Sequence, residues 1–173
     1  MKPLQKTITI SSLSVFFLLF LFQVPIIKQT LYEQFLEQLI YKKTVFFIDA
    51  DEVKTDKHTI LDTRSEAEFL VSHLPNARRV GFKDFSENNL KGLSKNDTII
   101  VYCSVGYRSE RIGEKLLQLG YKKVFNLKGG VFKWINKGYK MQQDSLPTTA
   151  IHPFSTMWGV WLQEGEKQYF KEK

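Results

Sequence analysis

The sequence predicts an α/β domain on a mostly parallel sheet, preceded by one membrane-crossing helix. Three observations carry this expectation. Between Thr44 and Tyr139, short β-branched runs alternate with stretches of helical periodicity, the pattern that sets parallel strands under crossover helices. The composition, 43% hydrophobic and 25% charged, is that of a packed protein and excludes both a disordered chain and a polytopic membrane protein. From Thr7 to Ile27 the chain carries no charge at all. Its 173 residues suit one ordinary domain with appendages and rule out two full domains.

The uncharged run comes first in the chain. As a helix its 21 positions would reach about 30 Å, the thickness of a bilayer's hydrocarbon core. Lys2 and Lys6 ahead of it also give the outline of a secretory signal. However, no Ala precedes Ala50 and no Gly precedes Gly81, so the usual small-residue cleavage site is missing. Residues 1–28 are therefore expected to be an uncleaved single-pass anchor, with a removed signal as the alternative. Lys2, Lys6 and the amino terminus lie before the span; Lys28, Lys42 and Lys43 lie after it. This distribution tilts the domain toward the extracytoplasmic, periplasmic side. Over residues 29–43, Leu31, Tyr32, Phe35, Leu36, Leu39 and Ile40 recur at helical spacing opposite Glu33, Gln34, Glu37 and Gln38. That is an amphipathic linker helix, expected to pack on the domain.

The domain is expected over residues 44–140. Its candidate strands are Val45 to Ile48, Thr59 to Leu61, Ala77 to Val80, Thr98 to Tyr102 and Val124 to Leu127, and its candidate helices are Ser65 to Val71, Lys83 to Leu90, Glu110 to Leu119 and Val131 to Asn136. Residues 141–173 form a tail broken by Pro147 and Pro153 and carrying Phe154, Trp158, Trp161, Tyr169 and Phe170. It suits a cover for the domain, a contact with the membrane interface, or a protein partner.

Parallel sheets place their chemistry at the carboxyl ends of strands. Thr98-Ile-Ile-Val-Tyr102 reads as a central strand buried on both faces. Directly after it stand Cys103, Ser104, Val105, Gly106, Tyr107, Arg108 and Ser109, and then a helix that Gly120 can end. Cys103 is the only cysteine, so no disulfide framework or cysteine-rich metal site exists within the chain. In a strand-to-helix loop, the helix dipole, exposed backbone N–H groups and Arg108 would all favour thiolate over thiol. A lone cysteine is more often a small buried hydrophobe; its Ser, Gly and Arg neighbours argue against that reading here.

At this point the chain resembles the rhodanese (thiosulfate sulfurtransferase) superfamily in its single-domain bacterial form. The resemblance covers about Thr44 to Tyr139. It rests on Asp49-Ala-Asp-Glu-Val53, Ile60-Leu-Asp-Thr-Arg64, Glu68-Phe69, His73-Leu-Pro-Asn-Ala77, the Cys103 to Ser109 loop, Gly120-Tyr121 and Leu127-Lys-Gly-Gly-Val-Phe-Lys-Trp134, in that order. It implies a three-layer fold of five parallel strands flanked by helices, with Cys103 accepting a sulfane sulfur as a persulfide and passing it to a thiol or cyanide. Asn76 stands where the family usually has Gly, and Asn tolerates a positive φ. Four residues separate Cys103 from Arg108, whereas the related cell-cycle phosphatases and tyrosine phosphatases have five between the corresponding pair. The shorter cradle resembles the sulfur-transfer version and argues against a phosphatase, as does Tyr102 where many phosphatases have His.

Roles follow for the loop. Cys103 is the expected nucleophile, and the N–H groups of Ser104, Val105, Gly106, Tyr107 and Arg108 would stabilise thiolate and persulfide. Arg108 either binds an anionic donor such as thiosulfate or folds back as a brace. Ser109 reads as the helix N-cap, and Asp62 with Arg64 as a structural ion pair. His73 reads as structural and Asp49 as a helix cap rather than a metal ligand. No metal or cofactor is expected. A net charge of +7 without a nucleic-acid motif points to small anions or lipid rather than nucleic acid. The expected function is a membrane-anchored sulfurtransferase using a small sulfur donor and a thiol acceptor. The alternative is a non-catalytic persulfide- or protein-binding module.

Overall fold

A computed structural model describes Phe20 and residues 24–169. Among the described residues no helix is long and apolar enough to cross a membrane. The expected span from Thr7 to Ile27 lies outside them except for Phe20 and residues 24–27. The chain is described continuously from helix α1, Pro25–Phe35, which begins on its proline and runs on as a π-helical turn, Leu36–Ile40.

Five strands follow: β1 Phe46–Ile48, β2 Thr59–Asp62, β3 Arg78–Arg79, β4 Thr98–Tyr102 and β5 Lys123–Leu127. They form one sheet in the order β1-β5-β4-β2-β3, all parallel. Helices α2 Glu66–Val71 and α3 Tyr107–Gln118 make crossovers between its strands, and α4 Gly130–Asn136 follows its last strand. The α/β class and the five-stranded parallel sheet expected from the alternating pattern are therefore present. Side-chain alternation along a strand explains the two cores. Ile99 and Val101 face one with Leu61, Ile112 and Leu116, while Ile100 and Tyr102 face the other with Ile60, Leu127 and Phe132. Because β4 is buried on both sides, its carboxyl end lies enclosed, with Tyr102 and Cys103 both buried.

Two expected elements are shorter than the sequence suggests. Lys83 to Leu90 holds only a 3-10 turn, Glu87–Leu90, because Asn89 accepts from the Ser86 backbone N–H at 2.8 Å. This bond is part of a capping box that starts the turn at Ser86, three residues into the expected helix. The edge strand β3 keeps two residues of the expected four, lying between a turn at Asn76 (φ +59°) and Gly81 (φ +69°). Asn76 thus adopts the left-handed conformation anticipated for it.

The flanks outside the sheet both pack on it. Tyr32 and Leu36 of α1 and its extension are buried in the second core, as are Met141, Ile151 and Leu162 of the tail. The tail forms an antiparallel hairpin, β6 Met141–Gln143 with β7 Leu146–Thr148, turned by Asp144 and Ser145 at positive φ. A parallel pair, β8 Ala150–Ile151 with β9 Glu166–Lys167, encloses the short helix α5, Thr156–Gly159. Trp161 of the tail lies against Tyr32 and Phe35 of α1. Of the three uses open to the tail, covering the domain is the one the fold displays.

Candidate active site

Cys103 sits at the carboxyl end of β4 with 1% of its surface exposed. The chain turns immediately through Gly106, whose φ of +102° only glycine adopts without strain. This turn aims the Gly106 N–H at the sulfur, 3.1 Å from Sγ, and starts α3 at Tyr107. Ser109 is therefore not the N-cap expected of it. The helix begins three residues earlier, Gly106 occupies the cap position, and Ser109 is buried in the first turn. Its support is of another kind: its hydroxyl donates to Asn126 Oδ1 at 2.7 Å, and Asn126 Nδ2 donates to the Gly106 carbonyl at 2.9 Å. The strand β5 thus holds the loop from beneath.

Arg108 takes the brace position rather than that of a free anion ligand. Its two terminal nitrogens grip Glu68 of α2 in a fork, both at 2.7 Å, and Nη2 also donates to Ser104 Oγ at 2.9 Å. The Ser104 hydroxyl in turn donates to Glu68 at 2.8 Å. Phe154 from the tail lies on the guanidinium at 4.9 Å, a cation–π contact. Burial opposes ionisation of Glu68, but the hydrogen bond and charge of Arg108 outweigh it and hold the carboxyl down at about 2. Burial likewise pushes the Cys103 thiol up. The Arg108 charge, the N–H groups of Ser109 and Val105 and the Ser109 hydroxyl more than offset this, so the thiol lies below its ordinary value. The site is built to hold negative charge on sulfur.

The second wall is the loop after β5. Gly130 (φ +57°) lies so close that an added Cβ would stand 2.4 Å from the Cys103 carbonyl oxygen. The next two N–H groups, of Val131 and Phe132, donate to the carbonyls of Cys103 and Ser104 at 3.0 and 3.2 Å. Gly130, the second glycine of the Leu127 to Trp134 motif, is what permits this approach. Val105 is buried, whereas Tyr107 is exposed and packs on Arg111.

Asp62 and Arg64 lie fully buried at the end of β2, paired at 2.7 Å, with Arg64 Nη2 also donating to the Ser72 carbonyl at 2.6 Å. That ties the strand to the end of α2. His73 stacks on Phe69 with ring centroids 4.1 Å apart, and Asp49 caps its short turn while accepting from Lys133 at 3.0 Å. Among the described residues no group of three or more His, Cys, Asp or Glu side chains is placed to hold a metal ion.

The rhodanese-like domain model matches residues 47–137, just over half of the chain. The chain belongs to the rhodanese-like domain family. Among curated relatives of this rhodanese-like chain, the mitochondrial protein HIGH ARSENIC CONTENT 1 of Arabidopsis thaliana is 30% identical over 62% of this chain and 73% of its own length. The tRNA uridine(34) hydroxylase of Buchnera aphidicola is also 30% identical, over 54% of this chain. The adenylyltransferase and sulfurtransferase UBA4 of Candida albicans is 36% identical over 45% of this chain. The chain spans about a third of the hydroxylase and a fifth of UBA4 (32% and 19%). A solved rhodanese-related protein from Thermoplasma volcanium superposes with a TM-score of 0.50 at 26% identity, covering 57% of this chain and 99% of that one. The thiosulfate sulfurtransferase of Pseudomonas aeruginosa shares the fold, with a TM-score of 0.53 at 21% identity over 69% of this chain and 23% of its own.

The rhodanese-like match stops short of several groups that touch the site. Tyr41 and Tyr32 come from the amino-terminal flank and Phe154 from the tail. Sequence reasoning gave these no role at the site, and it also missed Glu68 and Asn126 as partners of the loop. Asn126 had a signal, a polar residue inside the apolar run of β5. Glu68 had one too, standing three residues after Ser65 in a capping box that the structure forms.

Proposed function

We propose that the protein is a sulfurtransferase that carries sulfane sulfur as a persulfide on Cys103. The observation that carries this reading is the Gly106 N–H pointed at a Cys103 sulfur whose thiol is held below its ordinary value. The thiolate attacks the outer sulfur of a donor such as thiosulfate. A new S–S bond forms on Cys103, the donor's S–S bond breaks, and sulfite leaves with the electron pair. An acceptor thiolate, or cyanide, then attacks the outer persulfide sulfur and Cys103 leaves as thiolate, restoring the start. Since the Arg108 charge is matched by Glu68, the cradle of N–H groups rather than a free guanidinium would receive an anionic donor. The Glu68 contact also favours the neutralised brace over the ligand role that the sequence left open for Arg108.

The membrane belongs to the same proposal. The uncharged run ahead of α1 supports a single-pass anchor, and the lysine distribution around it supports a domain on the extracytoplasmic side. Incubation with thiosulfate and then cyanide should release thiocyanate and add the mass of one sulfur to Cys103 in the loaded state. Cys103→Ser should abolish both, because a hydroxyl is not ionised near neutral pH and cannot carry a persulfide. A wild-type protein that neither turns over nor gains that mass from thiosulfate or a small-molecule persulfide would instead be the non-catalytic binding module.

A further inference from the structure

Asn126 holds the loop from beneath at the Gly106 carbonyl, and the peptide that carries the Gly106 N–H has a second anchor. The Val105 carbonyl, part of the same peptide group, accepts a hydrogen bond from the Tyr41 hydroxyl at 3.0 Å. The Tyr41 oxygen in turn accepts from the Gly129 N–H at 2.8 Å. The bonds form an unbroken chain running from Gly129 through the Tyr41 hydroxyl and the Val105–Gly106 peptide to Cys103 Sγ, with every donor pointing toward the sulfur. Chains of this kind polarise each member. A carbonyl that accepts from a phenol makes its own N–H a better donor.

Tyr41 also packs against this peptide. A Cβ on Gly106 would stand 2.8 Å from Tyr41 Cε1, so the space that a side chain would take beside the sulfur loop is filled by the Tyr41 ring. That ring is buried and packs on Phe47 at 4.5 Å between centroids. Its hydroxyl keeps its proton as a donor, since burial holds it far above the usual phenol range although the Gly129 N–H pulls the other way. Tyr41 lies ahead of the matched residues 47–137, in the segment that joins the uncharged run to the sheet.

We propose that Tyr41 is a positioning residue for sulfur transfer, orienting and polarising the Val105–Gly106 peptide so that its N–H stabilises negative sulfur on Cys103. The proposal rests on Cys103 being the reactive thiol of the function above, but its test needs no sulfur donor. The charged and titratable groups facing the pair are Arg108 of α3 and, through it, Glu68 of α2. Tyr32 of α1 also faces Cys103, and Glu37 and Glu110 face Tyr41. The Tyr41→Phe substitution leaves all of these in place.

Alkylation of Cys103 by iodoacetamide, followed from about pH 5 to 10, reads the apparent thiol pKa directly. No second cysteine exists to confuse the signal. Tyr41→Phe in the full chain should raise that pKa by about half a unit or more, which lowers the thiolate fraction at neutral pH about threefold. Tyr121→Phe is the comparison: Tyr121 is buried in the opposite core with Lys95 over its ring, so losing its hydroxyl should leave the apparent pKa where it is. Equal values for folded Tyr41→Phe and wild type would overturn the proposal. If Tyr41→Phe does not fold, the wild-type chain labelled at tyrosine Cζ decides instead. The Tyr41 signal should shift with the Cys103 titration, and a flat signal would overturn the proposal. A wild type that never carries sulfur refutes the function without touching this result.

Discussion

At the scale of the residue, the site depends on how Glu68 and Arg108 divide their charge. Glu68 is 1% exposed, so its carboxylate persists only because the Arg108 fork and Ser104 satisfy it. With the folded value near 2 against an ordinary 4.5, the ionised form contributes on the order of 3 kcal/mol. The sign follows from the depression. The contribution is complete above the ordinary carboxylate value and is lost as pH falls from about 5 toward 2. Glu68→Gln should therefore be clearly less stable than wild type at pH 7, and the gap should narrow as the medium is acidified through that window. Denaturant midpoints of both proteins from neutral to acid pH measure this directly. A gap constant with pH would mean that the Glu68 charge is not what the fold uses.

At the scale of the element, the short loop after β4 is held by three neighbours that are distant in sequence. The strand β5 supplies Asn126, the loop after it supplies Gly129 and Gly130, and the segment after α1 supplies Tyr41. The helix α1 and its extension are locked to the domain by buried Tyr32 and Leu36 and by Glu37, which pairs with Lys128 at 2.9 Å and Lys43 at 3.0 Å. The exposed ion pairs contribute little, whereas Leu36→Ala opens a cavity in the core beside Tyr41 and Gly129 and should cost about 2–5 kcal/mol. The measurable consequence extends beyond stability. Loosening this helix should also quicken alkylation of Cys103 by a bulky reagent, because the sulfur is now enclosed. An unchanged labelling rate in a destabilised but folded Leu36→Ala protein would show that α1 does not guard the site.

At the scale of the whole molecule, an uncharged run precedes α1 in the sequence, and Tyr41, just after α1 and its extension, reaches the loop after β4. A 21-residue uncharged span holds a protein in a bilayer against salt, whereas a basic patch is screened within about 10 Å at moderate ionic strength. The full chain should therefore sediment with membranes and stay there in high salt and release only in detergent. Recovery in the soluble fraction, with a mature amino terminus near Lys28, would make the run a removed signal. The same cells test orientation. A membrane-impermeant thiol reagent should reach Cys103 in intact cells if the domain faces outward, and only after lysis if it faces inward.

Much of this was legible in the sequence because it depends on local chemistry. The β-branched run Thr98 to Tyr102 could only be a buried strand, and Cys103 directly after it had to lie at a strand end before a helix. The Cys103 to Ser109 loop, between that run and a helix, marked the place of the site. Asn76 could be read as a left-handed turn because its side chain tolerates that conformation.

What only the tertiary structure decided are pairings between residues far apart along the chain. Arg108 could read as a ligand or a brace until Glu68, forty residues earlier, was placed within its fork. Ser109 read as a cap because Asn126 and the early helix start at Tyr107 were out of local view. Tyr41 and Phe154, on flanks outside the shared domain, carry no local mark of a role at the sulfur; the one meets Val105 and Gly129 and the other meets Arg108 only when the chain closes. Backbone preference and hydrophobic period act over a few residues, so a sequence displays them. The polarisation of a thiol is a sum over neighbours in space, and folding alone selects those neighbours.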